Sequence, residues 1–131
     1  MHRNLALENI FLGPNLEVKL GDFGHAFAFA PRDERRHSIC GNIHFRPPEM
    51  VNKNFDEERV GHYLPADVWA FGVVMYSILV GEPPFKGRDD EKICDKIVHG
   101  TYKCPQYLSQ EAKLLIDGCL KHNPQYRPSM E

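Results

Sequence analysis

The polar residues that could take part in chemistry fall in three short strings. The first runs from His2 to Asn9 and reads His-Arg-Asn-Leu-Ala-Leu-Glu-Asn. The second is Asp22-Phe23-Gly24, and the third is Pro47-Pro48-Glu49. An amide oxygen, such as that of Asn4, accepts a hydrogen bond but cannot take a proton. Each string alone could arise by chance, so their order and separation carry the information.

In that order, the strings resemble three protein kinase motifs: the catalytic loop H-R-D-L-K-x-x-N, D-F-G and A-P-E. Residues 67–72 are similar to the family's D-x-W-S-x-G helix, and Arg127 follows His-Asn-Pro as in many kinases. Residues 16–24, 36–41 and 81–85 resemble the polo-like kinases in particular. The sequence is identified as a member of the polo-like serine/threonine kinase family, with Aurora-type kinases next nearest.

The resemblance implies a protein-kinase-like fold, C-terminal lobe only, mainly α with a small β-hairpin. Residues 1–131 would form a partial protein kinase domain. Within it we expect the catalytic loop at 2–9, a β-hairpin at 10–20, an activation segment at 22–49 and helices over 65–131. Turn residues at 13–15, between two apolar segments, support the hairpin independently of the resemblance.

Three helices are predicted from the sequence pattern. The first covers 65–81, with Pro65 in its first turn and Gly81 as its C-terminal cap. It is apolar almost all round, which predicts a helix buried on every side. The second covers 90–98, and the third runs to Leu120 with Ser109 as its N-cap.

By resemblance, ATP and magnesium are the cofactors, although the residues assigned to them also have plainer interpretations. Asp22 would hold the main magnesium ion, Asn9 the second, and Phe11 would lie beneath the adenine ring. Phosphoryl transfer depends on such metal ions and on a residue that orients the attacking hydroxyl. The alternative for Asn9 and Phe11 is packing within the hairpin, and for Asp22 an ordinary turn aspartate.

Three positions depart from the family pattern. Asn4 stands where the catalytic Asp is expected, Ala6 where a Lys contacts the transferred phosphate, and Asn42 where a Thr braces the Asp. General base catalysis contributes about 10²–10⁴ in rate, or roughly 3–5 kcal/mol of barrier. These changes predict a catalytically impaired domain.

The resemblance implies regulatory or structural roles for the remaining motif residues. Ser38 aligns with the activating phosphosite of polo-like kinases, and Arg3 aligns with the arginine that grips its phosphate. The alternative for Ser38 is an exposed loop serine. The residues expected to be structural are His2, packed beside Phe23; Asp67, anchoring the catalytic loop; and Glu49, paired with Arg127.

Composition narrows the class of protein and its compartment. The chain has 131 residues, 42% hydrophobic and 26% charged, with a net charge of -2, so we expect no nucleic-acid partner. No apolar stretch is long enough to predict a membrane span, and no signal segment opens the sequence. Four cysteines without metal-ligand spacing favour reduced thiols and an intracellular location, in the cytoplasm or nucleus. A centrosome or spindle location follows from the resemblance only.

Three functions remain open. The chain could be a pseudokinase or fragment that acts by binding a protein partner, part of an active kinase whose N-lobe is encoded upstream, or a non-functional truncated copy. The family's helix before the catalytic loop packs along the central helix, and it is not in these residues. We therefore expect Trp69, Val73 and Tyr76 to lose cover, leaving the chain marginally stable, aggregation-prone or dependent on a partner.

Overall fold

A computed structural model describes residues 1–28, 40–52 and 64–129. The strands are β1 (Ile10–Leu12) and β2 (Val18–Leu20). The α-helices of the described ranges are α1 (Pro48–Val51), α2 (Leu64–Val80), α3 (Asp90–His99) and α4 (Gln110–Cys119), and single 3₁₀ turns lie at Leu7–Asn9, Phe23–His25, Ile43–Phe45 and Pro124–Tyr126. Helices therefore dominate, with one small hairpin, as the sequence predicted.

The hairpin lies where it was predicted, between the first two chemical strings. β1 and β2 pair antiparallel, with Ile10 opposite Leu20 and Leu12 opposite Val18. The turn is closed by the N–H of Gly13, which donates to the carbonyl of Glu17 at 2.9 Å. The hairpin brings the residue after β2 back beside the residue before β1, since Gly21 N–H donates to Asn9 O at 2.9 Å.

The central helix α2 begins one residue earlier and ends one residue earlier than the predicted range 65–81. Gly81 follows it with a φ of 86°, a left-handed conformation that glycine adopts without steric cost. Its N–H donates to the carbonyl of Ser77 at 2.8 Å, which satisfies one of the last helical carbonyls. The predicted C-terminal cap is therefore present.

The next two helices also begin at capping side chains. Asp89 accepts a hydrogen bond from the N–H of Lys92 at 2.9 Å and caps α3, and Gly100 ends that helix at a φ of 64°. Ser109 caps α4 by accepting from the N–H of Ala112 at 3.2 Å, as predicted. Side-chain oxygens at these positions satisfy N–H groups that have no partner inside the helix.

The core forms around α2. Trp69, Phe85, Ile97 and Ile116 are fully buried and come from α2, the loop after it, α3 and α4. The Trp69 and Phe85 rings stack with their centroids 5.5 Å apart and their planes 9° apart. Gly72 allows α4 to approach α2 closely, because a Cβ there would lie 2.6 Å from the Cβ of Cys119.

The expectation that Trp69, Val73 and Tyr76 would lose cover is wrong. Trp69 and Val73 are 0% exposed and Tyr76 is 5% exposed. The chain that follows α2 folds back over these residues: Phe85 stacks on Trp69, and Tyr76 donates its hydroxyl hydrogen to the carbonyl of Lys103 at 2.7 Å. Burial of the aromatic faces is thus supplied by residues C-terminal to the helix.

A different side of α2 is open. Phe71 is 41% exposed, Ile78 62% and Leu79 41%. These three residues are seven or eight positions apart or adjacent, so they lie on one face of the helix. We call Phe71, Ile78 and Leu79 the α2 stripe. The apolar pattern of α2 predicted a helix buried on every side, and that prediction is wrong.

Within the described ranges, no helix combines the length and the apolar content that crossing a membrane requires. The four cysteines are all free thiols, and burial raises the pKa of the Cys119 thiol above its ordinary value. Cys119 is 2% exposed and belongs to the packing of α4 against α2.

An internal ion pair joins α1 to the C-terminal end of the described chain. Arg127 donates from Nη1 to Glu49 Oε1 at 2.6 Å and from Nη2 to Glu49 Oε2 at 2.7 Å. The side chains are 0% and 2% exposed. The guanidinium also donates to the carbonyls of Lys121, Pro65 and His122 and lies 5.0 Å from the Trp69 ring centroid. The pair expected between Glu49 and Arg127 is present.

This geometry predicts a large difference between two Glu→Gln changes. Glu49→Gln leaves the buried Arg127 charge uncompensated and should lower the free energy of unfolding by about 3–5 kcal/mol. Glu82→Gln is the matched control, since the Glu82–Lys86 pair has both side chains 51% exposed. It should cost less than about 1 kcal/mol. Urea unfolding followed by circular dichroism measures both, and equal losses would contradict the assignment.

Candidate functional site

The loop at 2–9 is held to α2 by one carboxylate. The backbone N–H of His2 donates to Asp67 Oδ2 at 2.6 Å, and that of Arg3 donates to Asp67 Oδ1 at 2.9 Å. Asp67 is 6% exposed and lies in the first turn of α2, where the helix dipole favours a negative charge. Both carboxylate oxygens are therefore used to fix the position of the loop.

His2 links this loop to the segment after the hairpin. Its Nε2 lies 3.0 Å from the carbonyl of Gly21, while its Nδ1 accepts from the N–H of Asn4 at 3.3 Å. Together these contacts require the tautomer with the proton on Nε2. The ring packs edge-on against Phe23 with the centroids 4.8 Å apart. His2 is thus a packed histidine beside Phe23. Both ring nitrogens of His2 are engaged in hydrogen bonds.

Asn4 and Asp22 are brought into direct contact. Asn4 Nδ2 donates to Asp22 Oδ2 at 2.7 Å, across 18 residues of sequence. A carboxylate can only accept, so the amide nitrogen, and not its oxygen, faces Asp22. Asp22 has a φ of 56°, a left-handed conformation that aspartate tolerates better than most residues. One residue of the first string and one residue of the second therefore form a hydrogen-bonded pair.

The other residues of the loop support this pair or stand apart from it. Asn9 Nδ2 donates to the carbonyl of Asn4 at 2.9 Å, which places Asn9 beside the pair. Ala6 is 2% exposed and packs in the core, with no polar group to offer a ligand. Phe11 is 53% exposed, and its ring lies 2.6 Å from where a Cβ would stand on Gly21. This contact agrees with packing inside the hairpin.

The residues after Cys40 approach the loop at Gly41. A Cβ on Gly41 would lie 2.9 Å from the carbonyl of Arg3 and 3.1 Å from Asn4 Oδ1, and its φ is 79°. The Asn42 side chain binds Glu8 and His44. Its Nδ2 donates to Glu8 Oε1 at 2.9 Å, and its Oδ1 accepts from the N–H of His44 at 3.1 Å. Asn42 therefore links this segment to Glu8.

Comparison with known sequences identifies the family of the chain. The sequence profile of the protein kinase domain matches residues 1–131. The chain belongs to the protein kinase domain family. Its fold is that of part of a kinase C-terminal lobe. That loop 2–9 serves as the catalytic loop and Asp22-Phe23-Gly24 as the D-F-G motif stays a prediction from the resemblance.

Individual relatives confirm the polo-like resemblance. The chain is 38% identical over 131 residues to serine/threonine-protein kinase PLK4 of Drosophila virilis, covering 100% of this chain and 16% of that protein. It is 39% identical to serine/threonine-protein kinase PLK2 of Mus musculus over the same length, covering 18% of that protein. The PLK4 of Aedes aegypti is 37% identical, with 16% covered. The chain thus spans less than a fifth of the length of these curated relatives.

Magnesium, which the kinase family implies, fits this arrangement poorly. Of the two expected ligands, Asp22 already uses Oδ2 to accept from the Asn4 amide, and Asn9 uses its Nδ2 to donate to the Asn4 backbone carbonyl. No cluster of three or more His, Cys, Asp or Glu side chains that could hold a metal lies in the described ranges. Magnesium requires near-octahedral oxygen ligation, usually with one or two carboxylates free to bind. As they stand, the residues do not fit the ion.

The predicted phosphate switch pairs Ser38 with Arg3, and of these two only Arg3 lies in the described ranges. Ser38 lies outside them, so its role stays a prediction. Arg3 has a φ of 65°, and its Nε donates to the carbonyl of His25 at 2.6 Å. The guanidinium therefore contacts the segment that follows the D-F-G motif.

Sequence reasoning missed three residues that shape the site. Glu8 receives the Asn42 amide, and Gly41 permits the close approach to Asn4. Arg46 donates from Nε to the carbonyls of Cys40 and Gly41 at 3.2 and 3.1 Å, and from Nη2 to Gly41 at 2.6 Å. Glycine at position 41 was a signal that could have been used, because a motif glycine often marks a left-handed turn.

Proposed function

We propose that this chain is a polo-like kinase domain segment that does not carry out ordinary phosphoryl transfer and acts by binding a protein partner. The observation that carries the proposal is the Asn4–Asp22 contact. Asn4 stands at the position of the catalytic base, and it presents N–H hydrogens to Asp22 at 2.7 Å. An amide cannot take a proton, and the group that Asn4 turns toward Asp22 is a hydrogen-bond donor. Asn4 is therefore unsuited to accept the hydroxyl proton of a substrate.

Ala6 supports the same conclusion from the electrostatic side. Protein kinases stabilise the charge of the transferred phosphoryl group with cationic side chains and metal ions. Ala6 is a buried methyl group and supplies no charge at the position of the family's Lys. Loss of the base alone removes about 10²–10⁴ in rate, and the missing cation adds to that loss.

Protein binding is supported by apolar surface. The α2 stripe exposes Phe71, Ile78 and Leu79, and the hairpin exposes Phe11 at 53%, Leu12 at 66% and Val18 at 67%. Exposed apolar patches are characteristic of interaction sites in folded proteins. We infer that a protein, rather than a nucleic acid or a membrane, covers the α2 stripe, and that the compartment is the cytoplasm or nucleus, where free thiols persist.

A second candidate is that the segment serves within a complete ATP-dependent serine/threonine kinase. The presence of Asp22 and Asn9 beside Asn4, at the positions of the family's two metal ligands, favours it. It requires Asn4 to release Asp22 when ATP and magnesium bind. A truncated copy without function would be indicated if no folded protein accumulates in the cells of origin.

The proposal predicts no phosphate transfer by this chain. Incubated with ATP, magnesium and a generic acceptor protein, the purified chain should incorporate no more phosphate than its Asp22→Ala variant. The physical reason is that base and cation are both absent from the loop. Incorporation by the unmodified chain, lost in Asp22→Ala, would contradict the proposal and favour the second candidate.

Partner binding is tested by placing a charge on the α2 stripe. The tagged chain, recovered from its own cells, should carry a stoichiometric protein partner, and Ile78→Lys should lose it because a buried unpaired charge opposes binding. Leu114→Lys is the matched control, since Leu114 on α4 is 63% exposed and Ile78 62%. Mass spectrometry identifies the partner. Recovery unaffected by Ile78→Lys, or lost equally in both variants, would contradict this site of binding.

A further inference from the structure

The backbone of Asn4 is held in place from two directions. Its backbone carbonyl accepts from Asn9 Nδ2 at 2.9 Å, and its backbone N–H donates to His2 Nδ1 at 3.3 Å. The neighbouring Arg3 N–H is bound by Asp67 at 2.9 Å. The side chain therefore projects from a backbone that is fixed to α2.

The orientation of the amide is also defined. Its Oδ1 faces Gly41, where a Cβ would lie 3.1 Å away, and its Nδ2 faces Asp22 at 2.7 Å. A hydrogen bond to a carboxylate is shorter and stronger than one between neutral groups. The positive end of the amide dipole thus occupies the space next to Asp22 Oδ2, where a cation would otherwise be attracted.

We propose that Asn4 takes the place of a metal ion as the partner of Asp22, so that the catalytic loop and the D-F-G motif stay joined without magnesium. Asn4 acts as a positioning residue in this role, because it holds Asp22 and touches no reactant. The inference deepens the proposed function and rests on it for its purpose, but its test measures stability and not phosphate transfer. The two can therefore fail separately.

The chemistry of the reverse substitution makes the idea testable. Asn4→Asp changes the side chain from an amide to a carboxylate of nearly the same shape. Two carboxylates then face each other where the 2.7 Å hydrogen bond stood. Like charges that close to each other repel. A divalent cation between them would relieve the repulsion. The variant should consequently depend on magnesium, whereas the unmodified chain should not.

The experiment compares thermal unfolding of the full chain and two variants, with millimolar magnesium chloride or with sodium chloride of equal ionic strength. We expect the unmodified Tm to move by less than about 1 °C. Asn4→Asp should lose about 3 °C or more in sodium chloride and recover most of it with magnesium. Asn4→Leu, which removes the hydrogen bond without adding a charge, should be destabilised but show no recovery.

Activity is not read at any point, so a failed kinase assay does not decide the result. An unmodified chain stabilised by magnesium as strongly as Asn4→Asp would overturn the inference, because Asp22 would then be open to metal. So would an Asn4→Asp chain that does not respond to magnesium, whether folded or unfolded, since circular dichroism would register any recovery of helix. Equal stability of Asn4→Leu and the unmodified chain would also overturn it.

Discussion

The carboxylate of Asp67 joins the first residues of the chain to the central helix, and the arrangement of the site depends on it. Both of its oxygens accept backbone N–H groups, from His2 and Arg3, 65 and 64 residues away in sequence. A buried carboxylate needs such donors to offset its lost hydration. Once the loop is fixed here, His2 can reach Gly21 and Asn4 can reach Asp22.

In this chain the residues that support the fold match the kinase pattern, whereas the residues that would touch reactants depart from it. Asp67, His2 and the Glu49–Arg127 pair keep the contacts expected of a kinase lobe. Each of them holds separate segments together, so its loss would cost folding free energy. By resemblance, Asn4 and Ala6 stand where the family uses a base and a cation. Neither change disturbs the core, because Ala6 packs as a small apolar residue and Asn4 makes three hydrogen bonds of its own.

Much of this structure could be predicted from the sequence, because its signals are local. Gly81 and Ser109 marked helix ends through their own conformational and hydrogen-bonding preferences, and the turn at 13–15 marked the hairpin. Family resemblance supplied the long-range pairs, including Glu49 with Arg127.

What could not be predicted depended on contacts between distant segments. Trp69 is covered by Phe85, which no helical pattern reveals, so the open face of α2 was assigned to the wrong residues. The direction of the Asn4 amide required the positions of Asp22 and Gly41, which only the folded chain defines. In the arrangement proposed above, this amide, and no metal ion, is the partner of Asp22. Manganese, a paramagnetic substitute for magnesium, tests it directly by broadening nuclear magnetic resonance signals of nearby amides in the labelled chain. We expect the signals of Gly24 and Asn9 to broaden no more than that of remote Ala112, while the same two signals broaden selectively in Asn4→Asp. Selective broadening of Gly24 and Asn9 in the unmodified chain would contradict it.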